Sequence, residues 1–360
     1  MRNETIFEFV RFSIDDNITE FKNIDDLDWE VLYDFSEKHR IAGVLYSGLE
    51  KLRKEVKPPM TIIANWYAQK EMVRELNKML NHNAVIIYNR FKEDGLRGCI
   101  LKGQGVATLY PDPYSRNPGD IDIWIDASRE RIVDYVNSIC PGKQRYNHID
   151  FPILKDIEVE VHYFPSYVFA PWNNRRLRKW TDEQANEQFT HRAKLPDCND
   201  EVCIPTLDFN RIFMMSHMYK HLFSGGIGLR QLMDYYFLLK KGFTETEKDR
   251  DTAVFKRLGM YRFATAVMYV LQKVLGLSDE LCLVEPNEEA GEFLLSEILI
   301  AGNFGEYDKR FGNTTNESIG HRYFRLTRRN LHFISSYPSE AISEPLFRTW
   351  YFFWKLFNVK

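Results

Sequence analysis

The sequence lacks any apolar run long enough to cross a membrane. A membrane-spanning helix needs roughly 18 or more consecutive apolar residues, and the 360-residue sequence contains no such stretch. Residues 1–16 carry early acidic side chains and no uninterrupted apolar segment, so we expect no signal peptide there. The sequence therefore predicts a protein without a membrane span, located in the cytoplasm.

Cysteine is scarce and scattered. An odd set of five cysteines in a chain of this length does not indicate a disulfide framework. Cys198 and Cys203 lie close together, but their spacing does not fit the common zinc sites.

An excess of positive charge is also missing. Lys and Arg number 48 against 51 Asp and Glu, which gives a net charge of -3. Proteins that bind nucleic acid over a wide surface neutralise many phosphates with basic side chains. The composition therefore argues against an extensive nucleic-acid surface, although a small nucleotide needs only a local positive pocket.

The pattern of apolar residues divides the chain into three regions. Helical spacing is present up to about residue 94, with one pattern over 28–52 and a longer one over 60–91, and it returns from about residue 181. Between them the pattern predicts short strands and two helical segments. The predicted strands cover residues 99–101, 120–126, 145–154 and 157–163. We predict an α+β protein with helical regions at 1–94 and 181–360 and a small mixed sheet within 95–180.

One predicted strand places two carboxylates on the same face. Residues 120–126 alternate strictly, so Asp120 and Asp122 share one face and the isoleucines share the other. Neighbouring positions on one face lie about 6–7 Å apart at their Cα atoms. Carboxylates this close repel each other unless a cation lies between them, and their hard oxygen ligands suit Mg²⁺.

A second strand repeats this arrangement. In residues 157–163, Glu158, Glu160 and His162 share one face, and the other face is apolar. If the two strands are neighbours, their polar faces form one acidic cluster at the open side of the sheet. The alternative is that each polar face is only the solvent side of its strand.

The segment before these strands favours a functional site. Leu101-Lys102-Gly103 leads from a strand into a helical turn and leaves backbone N–H groups at a helix start, where phosphates bind. Residues 99–163 thus contain, in order, a strand, a glycine turn, a helix, a basic loop and two acidic strands. This order is more specific than either acidic strand alone.

These residues resemble a known family. The run Leu101-Lys102-Gly103, then Arg116, then Gly119-Asp120-Ile121-Asp122 is similar to bacterial nucleotidyltransferase-like proteins of the DNA polymerase beta superfamily. More narrowly, it resembles a branch with an "LKG…R…GDID" core. The resemblance spans roughly residues 95–240 and continues through two further motifs. They are Glu160-Val161-His162, matching "E-x-H", and His217, His221, Arg230 and Asp234, matching "H-x-x-x-H…R-x-x-x-D".

The resemblance implies a small mixed sheet flanked by helices and a transfer of a nucleoside monophosphate from an NTP, such as ATP, to a hydroxyl or amine. It implies that Asp120 and Asp122 hold two Mg²⁺ ions, or Mn²⁺ in their place. Glu160 would be the third carboxylate, although the shared strand face alone does not separate it from Glu158. Gly103 would let the backbone approach the phosphates.

The phosphate turn departs from the usual pattern of the superfamily. Gly-Ser or Gly-Gly is replaced by Gly103-Gln104, and Asp120 lies 17 positions after Gly103 instead of about ten. Lys102 and Arg116 are candidate replacements for the missing hydroxyl contact, because both carry charge that phosphates bind. The alternative is that both side chains face solvent.

The downstream motifs supply further candidates for the nucleotide or acceptor. His217 and His221 are four residues apart and share one helix face. Arg230 and Asp234 have the same spacing, and the simpler interpretation is a salt bridge within one helix. We expect His162 to orient Glu160 or an acceptor group.

Two functions of other classes remain open. One is a non-catalytic nucleotide-binding module, and the other is a toxin-like enzyme that modifies tRNA. For the leading function the expected partners are an NTP and an acceptor that is a small molecule, a protein or RNA. The basic run at 175–179 is predicted to be a solvated loop, and the aromatic segment 345–357 is expected to pack into the protein's own core.

Overall fold

The structure, a computed structural model, describes residues 3–312 and 317–358. The helices are α1 (Asn3–Ile14), α2 (Trp29–Lys38), α3 (Ala42–Lys51), α4 (Met60–Glu93), α5 (Gly103–Ala107), α6 (Arg129–Ile139), α7 (Pro171–Gln188), α8 (Leu207–Ser224), α9 (Leu229–Leu239), α10 (Glu245–Arg257), α11 (Tyr261–Leu275), α12 (Glu288–Ala301), α13 (Ile319–His332) and α14 (Pro338–Asn358). The strands are β1 (Gly98–Leu101), β2 (Ile121–Ile125), β3 (His148–Asp150), β4 (Val159–His162), β5 (Arg192–Lys194) and β6 (Glu201–Cys203).

The main sheet is small and mixed, as predicted. Its strand order is β1-β2-β4-β3, and β5 and β6 form a separate antiparallel pair. The neighbours β2 and β4 are parallel, whereas β1 pairs with β2 and β3 pairs with β4 in antiparallel fashion. The predictions of an α+β fold and of adjacent acidic strands are confirmed.

The helical pattern predicted over residues 28–52 forms two helices instead of one. Asp28 caps α2 by accepting hydrogen bonds from the backbone N–H groups of Glu30 and Val31, both at 3.1 Å. The chain then turns at Arg40, whose φ of 55° is left-handed and cannot continue a right-handed helix. The long pattern over 60–91 is confirmed as α4.

Other segments differ from the prediction in length or kind. The strand predicted over 145–154 is limited to β3, and residues 151–158 link it to β4 in place of a two-residue turn. The helix α1 lies within the predicted helical region 1–94 but was not placed individually, and the strands β5 and β6 were not predicted. The basic run at 175–179 lies in α7, where the Arg178 guanidinium stacks 3.5 Å from the centre of the Phe164 ring.

The loop that precedes β2 is held by the N-terminal helices. Asn77 on α4 donates hydrogen bonds to the backbone oxygens of Tyr114, at 3.2 Å, and Arg116, at 2.8 Å. On α3, a Cβ added to Gly43 would lie 2.5 Å from the Ser115 carbonyl oxygen, so only glycine allows this contact. The helices therefore fix the position of Arg116.

The aromatic C-terminal helix is only partly packed. Phe347 contacts Tyr146 with ring centres 5.0 Å apart, as expected for a segment that docks on the core. Leu346 and Leu356 are 67% and 63% exposed, contrary to that expectation for the whole segment. No helix in the described ranges is both long and apolar enough to cross a membrane.

Candidate active site

The register of the sheet brings the acidic residues together. Asp122 on β2 lies directly opposite Glu160 on β4, and Glu160 lies opposite Asp150 on β3. Asp120 immediately precedes β2. Oxygen atoms of Asp120, Asp122 and Glu160 all lie within 4.8 Å of one another. These three residues, called the carboxylate cluster below, can together hold a metal ion, since hard divalent cations take carboxylate oxygens as ligands.

Asp122 is the buried member of the carboxylate cluster. Its Oδ1 lies 2.8 Å from Lys102 Nζ and 2.7 Å from His162 Nε2. Burial alone would raise the pKa of Asp122, but the charge of Lys102 and the hydrogen bond from His162 lower it below its ordinary value. Burial alone would lower the pKa of His162, but its two carboxylate neighbours, Asp122 and Glu160, raise it above its ordinary value. Asp122 is therefore held as an ionised carboxylate by Lys102 and by the hydrogen bond with His162.

Glu160 is likewise held as an anion. Its two oxygens lie 3.2 Å from His162 Nε2 and 3.3 Å from His148 Nε2. Against the effect of burial, these imidazoles lower the pKa of Glu160 to about 2. A carboxylate with so low a pKa is a good cation ligand and a weak proton acceptor. Glu158 is exposed and lies outside the carboxylate cluster, so the geometry selects Glu160 as its third member.

The polar face of the sheet is covered at the end where Trp124 lies. Trp124, which shares a face with Asp122, packs on Phe189, with ring centres 4.6 Å apart, and on Phe209 of α8. The carboxylates face a cavity of about 980 Å³. Its lining includes Lys102, Gly103, Arg116 and all three members of the carboxylate cluster. This volume is at the upper end of the range for ligand pockets, roughly 300–1,000 Å³.

The glycine turn lies at the edge of this cavity. Lys102 and Gly103 have positive φ values of 45° and 29°, a backbone shape that favours glycine at position 103. Space is not the constraint there, because a Cβ on Gly103 would lie 3.6 Å from the Asp120 carbonyl oxygen. Gln104 points away from the cavity and donates a hydrogen bond of 2.5 Å to Asn81 on α4. Its side chain thus packs α5 on α4 and does not contribute to the cavity lining.

Helices α8 and α9 form a second wall of the cavity, called the basic wall below. His217, Lys220 and His221 line it from α8, and Arg230 lines it from α9. Burial, reinforced by neighbouring cations, lowers the pKa values of His217 and His221 well below the ordinary value, so both rings are neutral. Burial and the charge of Lys102 lower the pKa of Lys220 to about 8.

Lys220 was not selected from the sequence. It lies three residues after His217 and one before His221, so helix periodicity puts Lys220 on the same face as His217. The histidine motif alone therefore did not indicate Lys220, although its spacing from His217 did. His148 was missed because the sequence predicted a longer strand over 145–154 and gave no register between that strand and β4.

Arg230 and Asp234 do not form the salt bridge that their spacing suggests. Within the described residues, Asp234 pairs instead with Arg116, which donates from Nε at 2.8 Å and from Nη2 at 2.9 Å. Tyr110 donates a third hydrogen bond to Asp234 at 2.6 Å. Arg230 makes two longer contacts, to the backbone oxygens of Asn117 and Pro118 at 3.3 and 3.4 Å, and its guanidinium lies 5.4 Å from the centre of the Phe304 ring.

These pairings divide the two arginines by role. Arg116 lines the cavity, but two of its nitrogens are committed to Asp234. Arg230 keeps a buried Nε without a hydrogen-bond partner among residues 3–312 and 317–358. Such a guanidinium at a cavity wall is suited to an anionic ligand.

The fold and the cavity define a class of protein. A carboxylate cluster able to hold a cation faces a wall with the guanidinium of Arg230 and the amine of Lys220, which together suit a phosphorylated ligand. Residues 25–276 match the model of a family described as "uncharacterised nucleotidyltransferase". The chain belongs to this family, which confirms the nucleotidyltransferase resemblance at that level. The narrower bacterial branch stays a prediction.

Other comparisons add little to this assignment. No curated protein matches the chain with significance. A solved structure titled as an antigenic nucleotidyltransferase-like protein from Paracoccidioides brasiliensis is similar at 13% identity and a TM-score of 0.37. The similarity covers 59% of this chain and 96% of that one.

Proposed function

We propose that the protein transfers a nucleoside monophosphate from an NTP to a hydroxyl or amine acceptor and releases pyrophosphate. In this reaction the acceptor atom bonds to the α-phosphorus, the bond to the α,β-bridging oxygen breaks, and the acceptor's proton passes to solvent. A divalent cation, Mg²⁺ or Mn²⁺, would lower the pKa of the acceptor and neutralise the leaving pyrophosphate.

One observation carries this proposal. The oxygens of Asp120, Asp122 and Glu160 lie within 4.8 Å of one another in the same cavity that Lys220 and Arg230 line. A metal-bound triphosphate presents a cation to one wall and anionic oxygens to the other. The cavity offers complementary charge to both parts.

The residues of the chain divide the work as follows. Asp120, Asp122 and Glu160 hold the cation. Lys220 and Arg230 bind the triphosphate oxygens, and Lys102 keeps Asp122 ionised and oriented. The backbone at Gly103 would contact the phosphates, and the neutral rings of His217 and His221 would contact the base, the sugar or the acceptor.

The first test uses two glutamates of one strand segment as matched variants. Glu160→Gln should lower kcat by roughly 10²–10³-fold, the range for loss of one group that stabilises charge in the transition state, because it removes a charged member of the carboxylate cluster. Glu158→Gln should lower kcat much less, since that side chain lines the exposed part of the cavity and lies outside the carboxylate cluster. If Glu158→Gln is the more damaging variant, Glu160 does not have the role proposed here.

The second test looks for the reaction itself. The protein is incubated with Mg²⁺ and each α-³²P-labelled NTP, together with separate pools of cellular RNA, protein and metabolites. We expect label in one pool and release of pyrophosphate. Label on tRNA would identify the toxin-like alternative, and NTP binding without any transfer would identify the non-catalytic module.

We also propose that this reaction takes place in the cytoplasm. All five cysteines are free thiols, as is usual for proteins of a reducing compartment. Localisation of the tagged protein by cell fractionation tests this point.

A further inference from the structure

A second group of possible metal ligands adjoins the carboxylate cluster. His148, Glu160 and His162, called the histidine cluster below, each offer one ligand atom, and these atoms lie within 4.8 Å of one another. His148 on β3 and His162 on β4 are directly opposite in the sheet register, so the backbone itself sets their proximity. Both imidazoles point their Nε2 atoms at the carboxylate of Glu160, one at each oxygen. His162 Nε2 also lies 2.7 Å from Asp122 Oδ1, and an ion bound at this nitrogen would take the place of the proton shared with Asp122.

We propose that the histidine cluster binds a divalent transition-metal ion, such as Mn²⁺ or Zn²⁺, beside the cation of the carboxylate cluster. The two clusters share Glu160, whose two oxygens point to different neighbours. The inference deepens the proposed function, because it assigns the second cation of the site to a ligand set that contains nitrogen.

The distances suit such an ion. Zinc binds imidazole nitrogen and carboxylate oxygen at about 2.0–2.2 Å, so neighbouring ligands of a tetrahedral site lie about 3.3–3.5 Å apart. The Nε2 atoms of His148 and His162 lie 3.3 and 3.2 Å from their respective Glu160 oxygens. Asp150 Oδ1 lies 3.3 Å from His148 Nε2 and is close enough to be a further ligand.

The surroundings of His162 also fit. A metal-bound imidazole donates its other N–H to a fixed acceptor. The side-chain amide of Asn147 lies 3.1 Å from His162 Nδ1, and a half-turn of that amide presents its oxygen to this atom. All three members of the histidine cluster line the cavity, so an ion can reach them.

The choice of ion follows from the ligand types. Mg²⁺ takes oxygen ligands almost exclusively, whereas Mn²⁺ and Zn²⁺ accept imidazole nitrogen. The histidine cluster should therefore discriminate against Mg²⁺, and the carboxylate cluster should accept it. The simpler alternative is that the two imidazoles only hydrogen-bond to Glu160 and fix its position.

The test uses Mn²⁺ as the probe, with the full chain freed of any affinity tag. Electron spin echo spectra detect ¹⁴N nuclei of imidazole coordinated to Mn²⁺. In the unaltered protein we expect ¹⁴N modulation that persists when excess Mg²⁺ has displaced the Mn²⁺ bound to carboxylates alone. This measurement needs no variant, so it does not depend on how any substitution folds.

Variants then locate the nitrogen ligand. His148→Ala should bind one Mn²⁺ fewer and lose ¹⁴N modulation, whereas His82→Ala, an exposed residue of α4, should change neither. Bound Mn²⁺ without ¹⁴N modulation in the unaltered protein would overturn the inference and leave the proposed function intact. Modulation that persists in a folded His148→Ala variant would also overturn it.

The same spectra separate the inference from the proposed function. Asp120→Asn removes a ligand of the carboxylate cluster only. Retention of ¹⁴N modulation in this variant, with loss of the Mn²⁺ that Mg²⁺ displaces, supports the inference. Retention of that displaceable Mn²⁺ would instead contradict the proposed role of the carboxylate cluster, and absence of all bound Mn²⁺ in the unaltered protein would contradict both.

Discussion

Asp234 is expected to be a major determinant of stability, although it lies at the edge of the cavity. It accepts two hydrogen bonds from Arg116 and one from Tyr110, and the side chains of the ion pair are only 5% and 9% exposed. Asp234→Asn keeps one acceptor oxygen but removes the charge that compensates a buried guanidinium. Removal of one partner from a buried pair costs about 3–5 kcal/mol. We expect a loss near the lower limit, about 3 kcal/mol, because the asparagine oxygen can still accept from Tyr110 or Arg116.

A double-mutant cycle measures this pairing. The free energy of unfolding is obtained by urea denaturation for the unaltered protein, Arg116→Met, Asp234→Asn and the double variant. The double variant should lose less than the sum of the single losses, since no unpaired buried guanidinium remains in it. Arg230→Met is the matched control, because this arginine lacks an ion pair with Asp234 in the described residues. Its cycle with Asp234→Asn should show little coupling.

The comparison also separates stability from binding. Arg230→Met should weaken NTP binding while the urea midpoint changes little, and Arg116→Met should do the reverse. Strong coupling of Asp234 to Arg230, with none to Arg116, would show that the pair within α9 forms in solution. That result would refute the assignment of Arg230 to the ligand.

Two pH-dependent effects follow from buried charges. The pKa of Lys220 is about 8 because of burial and the nearby Lys102. Calorimetry should show NTP affinity falling as pH rises through about 8, and Lys220→Met, but not Lys240→Met, should remove that decline. Burial raises the pKa of Glu340 from 4.5 to about 7, so the folded state favours the neutral form of this carboxyl group. Its contribution to stability, at most about 3 kcal/mol, is therefore lost as the pH rises from 4.5 through 7. Denaturation across this range should show a smaller decline for Glu340→Gln than for the exposed control Glu280→Gln, whereas an equal decline would exclude Glu340 as its source.

The part of the site that could be predicted from the sequence is the part that depends on local periodicity. Alternation along residues 120–126 was sufficient to put Asp120 and Asp122 on one face, because a strand has a period of two whatever packs on it. The sequence could also predict that the acidic residues of β2 and β4 form one cluster, on the single assumption that these two strands are neighbours. The choice between Glu158 and Glu160 needed the register, which places Glu160 opposite Asp122.

The rest depended on contacts between distant segments. The spacing of Arg230 and Asp234 predicts a helix salt bridge, but a carboxylate binds the guanidinium that the tertiary fold brings to it. Here that guanidinium belongs to Arg116, 118 residues away in the sequence. Similarly, β5 was missed because its exposed Arg192–Lys194 segment has no apolar alternation, and it is stabilised by pairing with β6.

The carboxylate cluster and the basic wall carry opposite charges, and both together indicate which ligand fits the cavity. Among the described residues, Lys220 forms no salt bridge and Arg230 pairs with no carboxylate, although both are partly buried and their pKa values are lowered by burial. A buried cation without a salt bridge is unfavourable, and so are three carboxylates that share a single lysine, Lys102, unless each meets further opposite charge. Joining the walls directly would neutralise both, but the fold keeps them apart across the cavity. A ligand that carries a cation on one side and phosphate oxygens on the other satisfies both walls at once. For this reason a metal–nucleotide complex fits the cavity better than either a free metal ion or a free anion.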